Sequence, residues 1–143
     1  TLHLVFAGPD EGLGDQLRKE IKKVSLENRI HLIGYIEGYD KVGAYTGAEF
    51  LVVPSRREAM SIVALEAGAC GTPVLLTTEC GFDEVKEVGC KVVPPIANEL
   101  YNAMVSMLSS SKSLKALGND LRNLILDRYP WQKTAEQYLK LPH

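Results

Sequence analysis

Short apolar runs alternate along the chain with amphipathic stretches, and this alternation predicts strands that alternate with helices. Apolar runs that predict buried strands occupy residues 2–7, 29–33, 50–53, 73–77 and 91–93. Helices are predicted over residues 14–26, 40–47, 61–70, 97–109, 114–127 and 131–139. Gly71 follows the third predicted helix, where glycine accepts the left-handed backbone of a C-terminal cap.

Strands joined by helices in this order predict a parallel sheet with right-handed crossovers and helices on both faces. The expected fold class is therefore α/β, a doubly wound, Rossmann-like sheet followed by C-terminal helices. Ligands of such sheets bind beyond the carboxyl ends of the strands. The loops after Ala7, Ile33, Val53 and Thr77 are accordingly the places where a binding site is expected.

Composition excludes several classes of function. With 143 residues, 45% hydrophobic and 24% charged, the chain matches a single globular domain. A net charge of −2 supplies no basic surface, so no nucleic-acid partner is expected. The three cysteines, Cys70, Cys80 and Cys90, are widely spaced and form no CxxC pair. They predict neither a disulfide framework nor a metal site, and they favour a cytoplasmic location.

Residues 52–74 carry the most informative pattern, a strand, a polar loop and an apolar helix. Glu58 lies in the loop and Glu66 in the second turn of the predicted helix, so both can face one crevice. The neighbours of Glu66 are small and apolar, and a carboxylate among them requires a hydrogen-bonding partner. That partner could be the hydroxyl pair of a ribose, or a structural one such as a backbone group, Arg56 or Arg57.

Ser61 is a suitable N-cap for the predicted helix. The free backbone N–H groups at its start, around residues 60–63, would form an anion site suited to a diphosphate. Every helix begins with such groups, so this feature gains meaning only beside the two glutamates.

The block resembles the group 1 glycosyltransferases, a large retaining GT-B family with an E-x7-E motif. Glu58 and Glu66 match the spacing, and residues 64–67 and 70–74 match the flanking consensus. The similarity extends over nearly the whole chain, at residues 5–8, 30–34, 45–49, 81, 84 and 121–131. On this resemblance, residues 1–143 form the C-terminal nucleotide-sugar-binding domain. The N-terminal acceptor domain and the first strand of this domain would lie upstream.

The resemblance implies roles for particular residues. Glu58 would be catalytic, contacting hydroxyls of the donor sugar, and Glu66 would hold the ribose hydroxyls. Gly34 and Tyr35 would border the base. Backbone N–H groups near the sugar and diphosphate would come from Ala59, Met60, Ser61 and Ile62. The family requires neither a metal nor a cofactor, since positive groups and a helix terminus neutralise the departing diphosphate.

The implied activity is transfer of a hexose-type sugar from a nucleotide-diphosphate donor to an unknown acceptor, with retention at the anomeric carbon. The implied partners are the donor and the N-terminal acceptor-binding domain of the same protein. Peripheral membrane contact could arise through parts outside this chain. The chain alone is expected to bind weakly and turn over little or not at all.

One departure keeps an alternative open. After the first glutamate the family has glycine, an aromatic residue and glycine, whereas this chain has Ala59, Met60 and Ser61. Ser61 narrows the space beside the sugar. A non-catalytic nucleotide-sugar-binding or scaffold domain on the same fold therefore remains an alternative, and nothing here favours a related sugar epimerase.

A dehydrogenase is disfavoured, although Gly8, Gly12 and Gly14 have the spacing of a dinucleotide-binding loop. Asp10 and Glu11 within that loop would repel a diphosphate. A glycine pattern of this kind is also weak evidence alone.

Overall fold

The structure is a computed structural model that describes residues 1–110 and 112–130. The helix predicted over residues 131–139 lies outside the described residues. The chain divides into two compact units, Thr1–Lys41 and Val42–His143.

In the first unit, strand β1 (Leu4–Ala7) pairs in parallel with strand β2 (Ile30–Gly34). Helix α1 (Gly14–Lys23) connects them and buries Ile21. Contrary to the expectation of a buried strand, every residue of β1 is exposed. One short helix and a two-stranded sheet supply too little surface to cover both faces of a strand.

Helix α2 (Gly38–Gly47) follows, and the second unit contains the larger core. Its strands β3 (Leu51–Val53), β4 (Val74–Thr77) and β5 (Lys91–Val93) are parallel and lie in the order β3-β4-β5. The central strand β4 is buried along its whole length. Helices α3, α4 and α5 cover Ile62–Ala69, Ala97–Leu108 and Leu114–Arg128.

These elements confirm the predicted α/β class, with parallel strands and C-terminal helices. A 3-10 helix over Asp83–Val88 is an addition that the hydrophobic pattern did not predict. In the described part of the chain, no helix is both long and apolar enough to cross a bilayer.

Glycines allow α3 to pack closely in the second unit. Gly71 has φ +82°, and its N–H donates to Gly68 while that of Thr72 donates to Ala67, which confirms the predicted C-terminal cap. A Cβ atom on Gly118 of α5 would collide with the backbone carbonyl of Gly71. The end of α3 and helix α5 therefore meet where a side chain has no room.

We expect Gly118→Ala to lower the free energy of unfolding by about 1–3 kcal/mol, the usual cost of overpacking. The new Cβ atom would meet the backbone carbonyl of Gly71, which cannot move aside as a flexible side chain can. Denaturant unfolding measures the change. Gly43→Ala is the matched control, since a Cβ there meets nothing within 4 Å, and it should be neutral or stabilising. Equal effects of the two substitutions would contradict the close packing at Gly118.

A bidentate ion pair joins α5 to the 3-10 helix. Both terminal guanidinium nitrogens of Arg128, Nη1 and Nη2, donate to Glu87, at 2.8 and 2.6 Å. The hydrogen bond from Arg128 holds the pKa of the Glu87 carboxyl below its ordinary value of 4.5.

Because the pKa of Glu87 is lower in the folded state, its contribution to stability is complete above about pH 4.5 and is lost as the pH falls through the folded pKa. We therefore expect Glu87→Gln to lower the melting temperature at pH 7 by more than it does near pH 3. In an Arg128→Gln background, which lacks the guanidinium that lowers this pKa, Glu87→Gln should lose most of its pH dependence. A pH-independent difference for Glu87→Gln would contradict this.

Candidate functional site

Two loops meet at the carboxyl ends of β3 and β4: the β3 loop (residues 54–61) and the β4 loop (residues 78–81). The N–H of Glu58 donates to the carbonyl of Glu79, and the N–H of Ser61 donates to that of Cys80, each at 2.9 Å. Gly81 has φ +62°, and a Cβ atom on it would collide with the carbonyl of Ala59. The β3 loop is thus held against the β4 loop through backbone contacts.

Side chains add to this attachment. The hydroxyl of Thr77, the last residue of β4, donates to the carbonyl of Ser55. The thiol of Cys80 donates to the carbonyl of Val53 at 3.4 Å. Thr77 and Cys80 are both buried, so these bonds are shielded from water.

Two polar atoms of the β3 loop are buried without a partner. Oε2 of Glu58 and Oγ of Ser61 are inaccessible to solvent and make no hydrogen bond within the described residues. Buried polar atoms without partners are rare in folded proteins, since each costs about 1–3 kcal/mol, and they recur at catalytic and binding sites. Both atoms belong to the segment that the sequence singled out.

Glu66 has a partner that sequence reasoning did not identify. The hydroxyl of Tyr45 on α2 donates to Oε2 of Glu66 at 2.9 Å. Burial and then this hydrogen bond raise the pKa of Tyr45 well above its ordinary value. The residue is held further by Thr72, whose hydroxyl donates to the Tyr45 carbonyl at 2.6 Å.

Tyr45 is thus a structural partner of Glu66, whereas Arg56 and Arg57, the candidates named from sequence, are exposed on the β3 loop. A carboxylate accepts several hydrogen bonds, so the bond to Tyr45 leaves a ribose contact chemically compatible. In the sequence, the only signal for Tyr45 was its position in the tyrosine-containing segment before β3. Its pairing with Glu66 could be identified only from the three-dimensional structure.

The start of α3 differs in detail from the expectation. Ser61 occupies the N-cap position, but its side chain makes no capping hydrogen bond. Its N–H is engaged by Cys80, whereas those of Met60, Ile62 and Val63 have no acceptor among the described residues. The candidate anion site therefore consists of the N–H groups of Met60, Ile62 and Val63 and does not include the N–H of Ser61.

Gly34 and Tyr35 lie in the first unit, at the carboxyl end of β2. Gly34 has φ +72°, a conformation that favours glycine. Tyr35 is 69% exposed, and its hydroxyl donates to Glu37 at 3.2 Å. Across the described residues, no cluster of three or more histidine, cysteine or acidic side chains could hold a metal ion.

Parallel strands with polar loops at their carboxyl ends define a Rossmann-like α/β domain of the kind found in GT-B glycosyltransferases. The chain belongs to the glycosyl transferases group 1 family, whose model matches residues 1–124.

Individual relatives support this assignment. An uncharacterized glycosyltransferase of Methanocaldococcus jannaschii is 28% identical over 137 residues, covering 94% of this chain and 35% of that protein. Sucrose-phosphate synthase of Thermosynechococcus elongatus has a TM-score of 0.83 and 28% identity, covering 95% of this chain and 36% of that one.

HepE of Anabaena, solved with UDP and glucose, has the same fold, with a TM-score of 0.78 and 21% identity over 97% of this chain and 41% of that one. The chain spans about a third of the length of the first curated relatives that it matches.

We expect Ser61→Ala to raise the free energy of unfolding by about 1 kcal/mol, because it removes a buried hydroxyl that has no partner. Denaturant unfolding without ligand measures this. Where an N-cap serine does make the capping hydrogen bond, the same substitution lowers the free energy of unfolding by about 1 kcal/mol.

Ser113 provides that control, since it caps α5 by accepting from the N–H of Ala116 at 3.1 Å. Ser113→Ala should therefore destabilise the protein while Ser61→Ala stabilises it. Destabilisation by both would show that the Ser61 hydroxyl is satisfied in solution.

Proposed function

We propose that this chain is the donor-binding domain of a retaining glycosyltransferase that moves a hexose-type sugar from a nucleotide-diphosphate donor to an acceptor. One observation carries the proposal. Glu58 is half-buried, has an unpartnered carboxylate oxygen, and is attached by its backbone to the β4 loop at the carboxyl ends of the strands. Rotation of the Glu58 side chain would present this oxygen to a ligand that brings hydroxyl groups.

In this proposal, Glu58 is the catalytic residue and accepts hydrogen bonds from the donor-sugar hydroxyls. Because the backbone of Glu58 is already fixed to Glu79, only its side chain has to reorganise on binding, and this favours hydrogen bonds that strengthen in the transition state. Retention at the anomeric carbon is part of the proposal because the E-x7-E spacing of Glu58 and Glu66 matches the retaining family.

Glu66 accepts from the ribose hydroxyls while Tyr45 fixes its orientation through the 2.9 Å hydrogen bond. A carboxylate that is already held by a hydrogen bond loses less side-chain entropy when it binds a further group. The structural and the binding roles of Glu66 are therefore complementary rather than exclusive.

The diphosphate lies, in this proposal, at the start of α3. The N–H groups of Met60, Ile62 and Val63, which have no acceptor in the described residues, donate to it. Ala59 and Ser61 border the sugar and the phosphates. Charge on the departing diphosphate is offset by the helix terminus, without a metal or cofactor.

Gly34 and Tyr35 border the base. Gly34 lets the backbone turn at the end of β2, and the exposed ring of Tyr35 offers an aromatic surface there. Exposed aromatic surface of this kind is suited to contact with a planar base.

In this proposal the acceptor binds to an N-terminal domain of the same protein. The proposal agrees with the greater length of the relatives, of which this chain spans about a third. The chain alone should therefore bind donor weakly and transfer little sugar. We propose a cytoplasmic location on the basis of the free cysteines Cys70, Cys80 and Cys90. Any peripheral membrane contact would be made by parts outside this chain.

A second candidate is a non-catalytic nucleotide-sugar-binding or scaffold domain. It is favoured by the Ala59-Met60-Ser61 segment, in which a fully buried serine occupies the place of a family glycine. Transfer activity in the complete protein distinguishes the two, since a scaffold binds donor without turnover.

The proposed function predicts that UDP, GDP or ADP, with its sugar conjugates, raises the melting temperature of the wild-type chain. Glu66→Gln should clearly reduce that shift while changing the ligand-free melting temperature little, because glutamine still offers Tyr45 an acceptor. Thermal-shift assays measure both effects. Loss of the charged contact to the ribose should weaken binding by about tenfold or more.

Glu99→Gln is the matched control, since it makes the same chemical change at an exposed position on α4, and it should retain the shift. NAD is the control ligand and should produce none. A shift with NAD alone would contradict the proposal, and a large loss of ligand-free stability in Glu66→Gln would favour a purely structural role for Glu66.

A further inference from the structure

The backbone pairing between β3 and β4 stops at the ends of these strands, and beyond it the β3 loop is attached to the β4 loop by other hydrogen bonds. Val53 lies opposite Leu76, and there the ladder between β3 and β4 ends. The next residue, Pro54, has no N–H to donate. From this point the end of β3 and the β3 loop are hydrogen-bonded to the end of β4 and to the β4 loop.

Two of these hydrogen bonds come from buried side chains. Thr77 donates to the carbonyl of Ser55, and Cys80 donates to the carbonyl of Val53, on either side of Pro54. Thr77 and Cys80 also contact each other, with Oγ1 and Sγ 3.4 Å apart. The pair supplies donors at the point where proline interrupts the backbone pattern.

Glu58 depends on this attachment for its position. Its side chain makes no hydrogen bond or ion pair within the described residues, and its Oε2 has no partner. What fixes Glu58 is its backbone bond to Glu79 and the path of the chain from Ser55. A shift of Ser55 therefore changes the path by which the chain reaches Glu58.

We propose that Thr77, assisted by Cys80, is a positioning residue for the donor sugar: by fixing the carbonyl of Ser55, its hydroxyl sets where Glu58 meets the sugar. The inference rests on the proposed role of Glu58 in the donor site. It assigns sugar recognition to a buried hydroxyl on β4 that touches no ligand. The start of α3 keeps its own bond, from Ser61 to Cys80, so diphosphate binding depends less on Thr77.

A stability measurement alone cannot test this inference, because loss of a buried hydrogen bond destabilises the protein in either case. The informative quantity is the dissociation constant for a nucleotide sugar divided by that for the bare nucleoside diphosphate. General destabilisation changes both constants alike, whereas displacement of Glu58 changes only the first.

The experiment compares the wild type with Thr77→Val and Thr77→Ser by isothermal titration calorimetry, well below each melting temperature. The probes are UDP, GDP and ADP and their glucose and mannose conjugates. Valine keeps the shape of threonine but removes the donor, so the ratio should rise about tenfold, the effect of one well-placed hydrogen bond. Serine keeps the donor and should restore the ratio to within about twofold of the wild type.

Cys80→Ala is a second variant in case Thr77→Val does not fold. A thiol is a weak donor, so its removal should cost less stability and should raise the ratio in the same direction by a smaller factor. Equal weakening of both classes of ligand, or no change in the ratio for a folded variant, would overturn the positioning role and leave the proposed function intact. A wild type that binds none of the probes would overturn the proposed function and this inference together.

Discussion

Beyond Val53 the chain can no longer pair as a strand, and the hydrogen bonds that take over determine the candidate site. They come from Thr77, Glu79 and Cys80, at the end of β4 and in the loop after it. Because β4 is the central strand of its sheet and is buried along its whole length, this support comes from the core of the second unit. The backbone of Glu58 and the start of α3 are held by hydrogen bonds to the loop that follows this strand.

Glycine makes this arrangement possible in two places. At Gly81 the β3 loop approaches so closely that a side chain would collide with Ala59, and the backbone is also left-handed there. At Gly118 helix α5 approaches the end of α3 in the same manner. The first contact fixes the beginning of α3 and the second fixes its end. The helix that carries Glu66 is therefore held in place at both termini.

The hydrophobic pattern predicted the order and type of the described strands and α-helices, because periodicity reflects which faces are buried. It failed for β1, whose apolar residues are exposed, since apolar character shows what a strand can bury and not what covers it. It also missed the 3-10 helix at Asp83–Val88, which is too short to develop a distinct period.

The site was predictable only as far as its motif extends. The spacing of Glu58 and Glu66 singled out the segment, but Tyr45 lies 21 residues before Glu66, and Thr77 lies 22 residues beyond Ser55. Contacts over such separations arise from the way strands and helices pack, and local sequence patterns do not encode them. The engagement of the Ser61 amide by Cys80 was hidden for the same reason.

The most direct test of this account is a titration of the isotope-labelled 143-residue chain with UDP, GDP and ADP, followed by amide chemical shifts in NMR. The account predicts saturable changes that are largest at residues 34–35 and 58–66, with Glu87 and Arg128 unaffected. Saturable changes concentrated around Glu87 and α5 instead, or no saturable change with any of the three nucleotides, would contradict it.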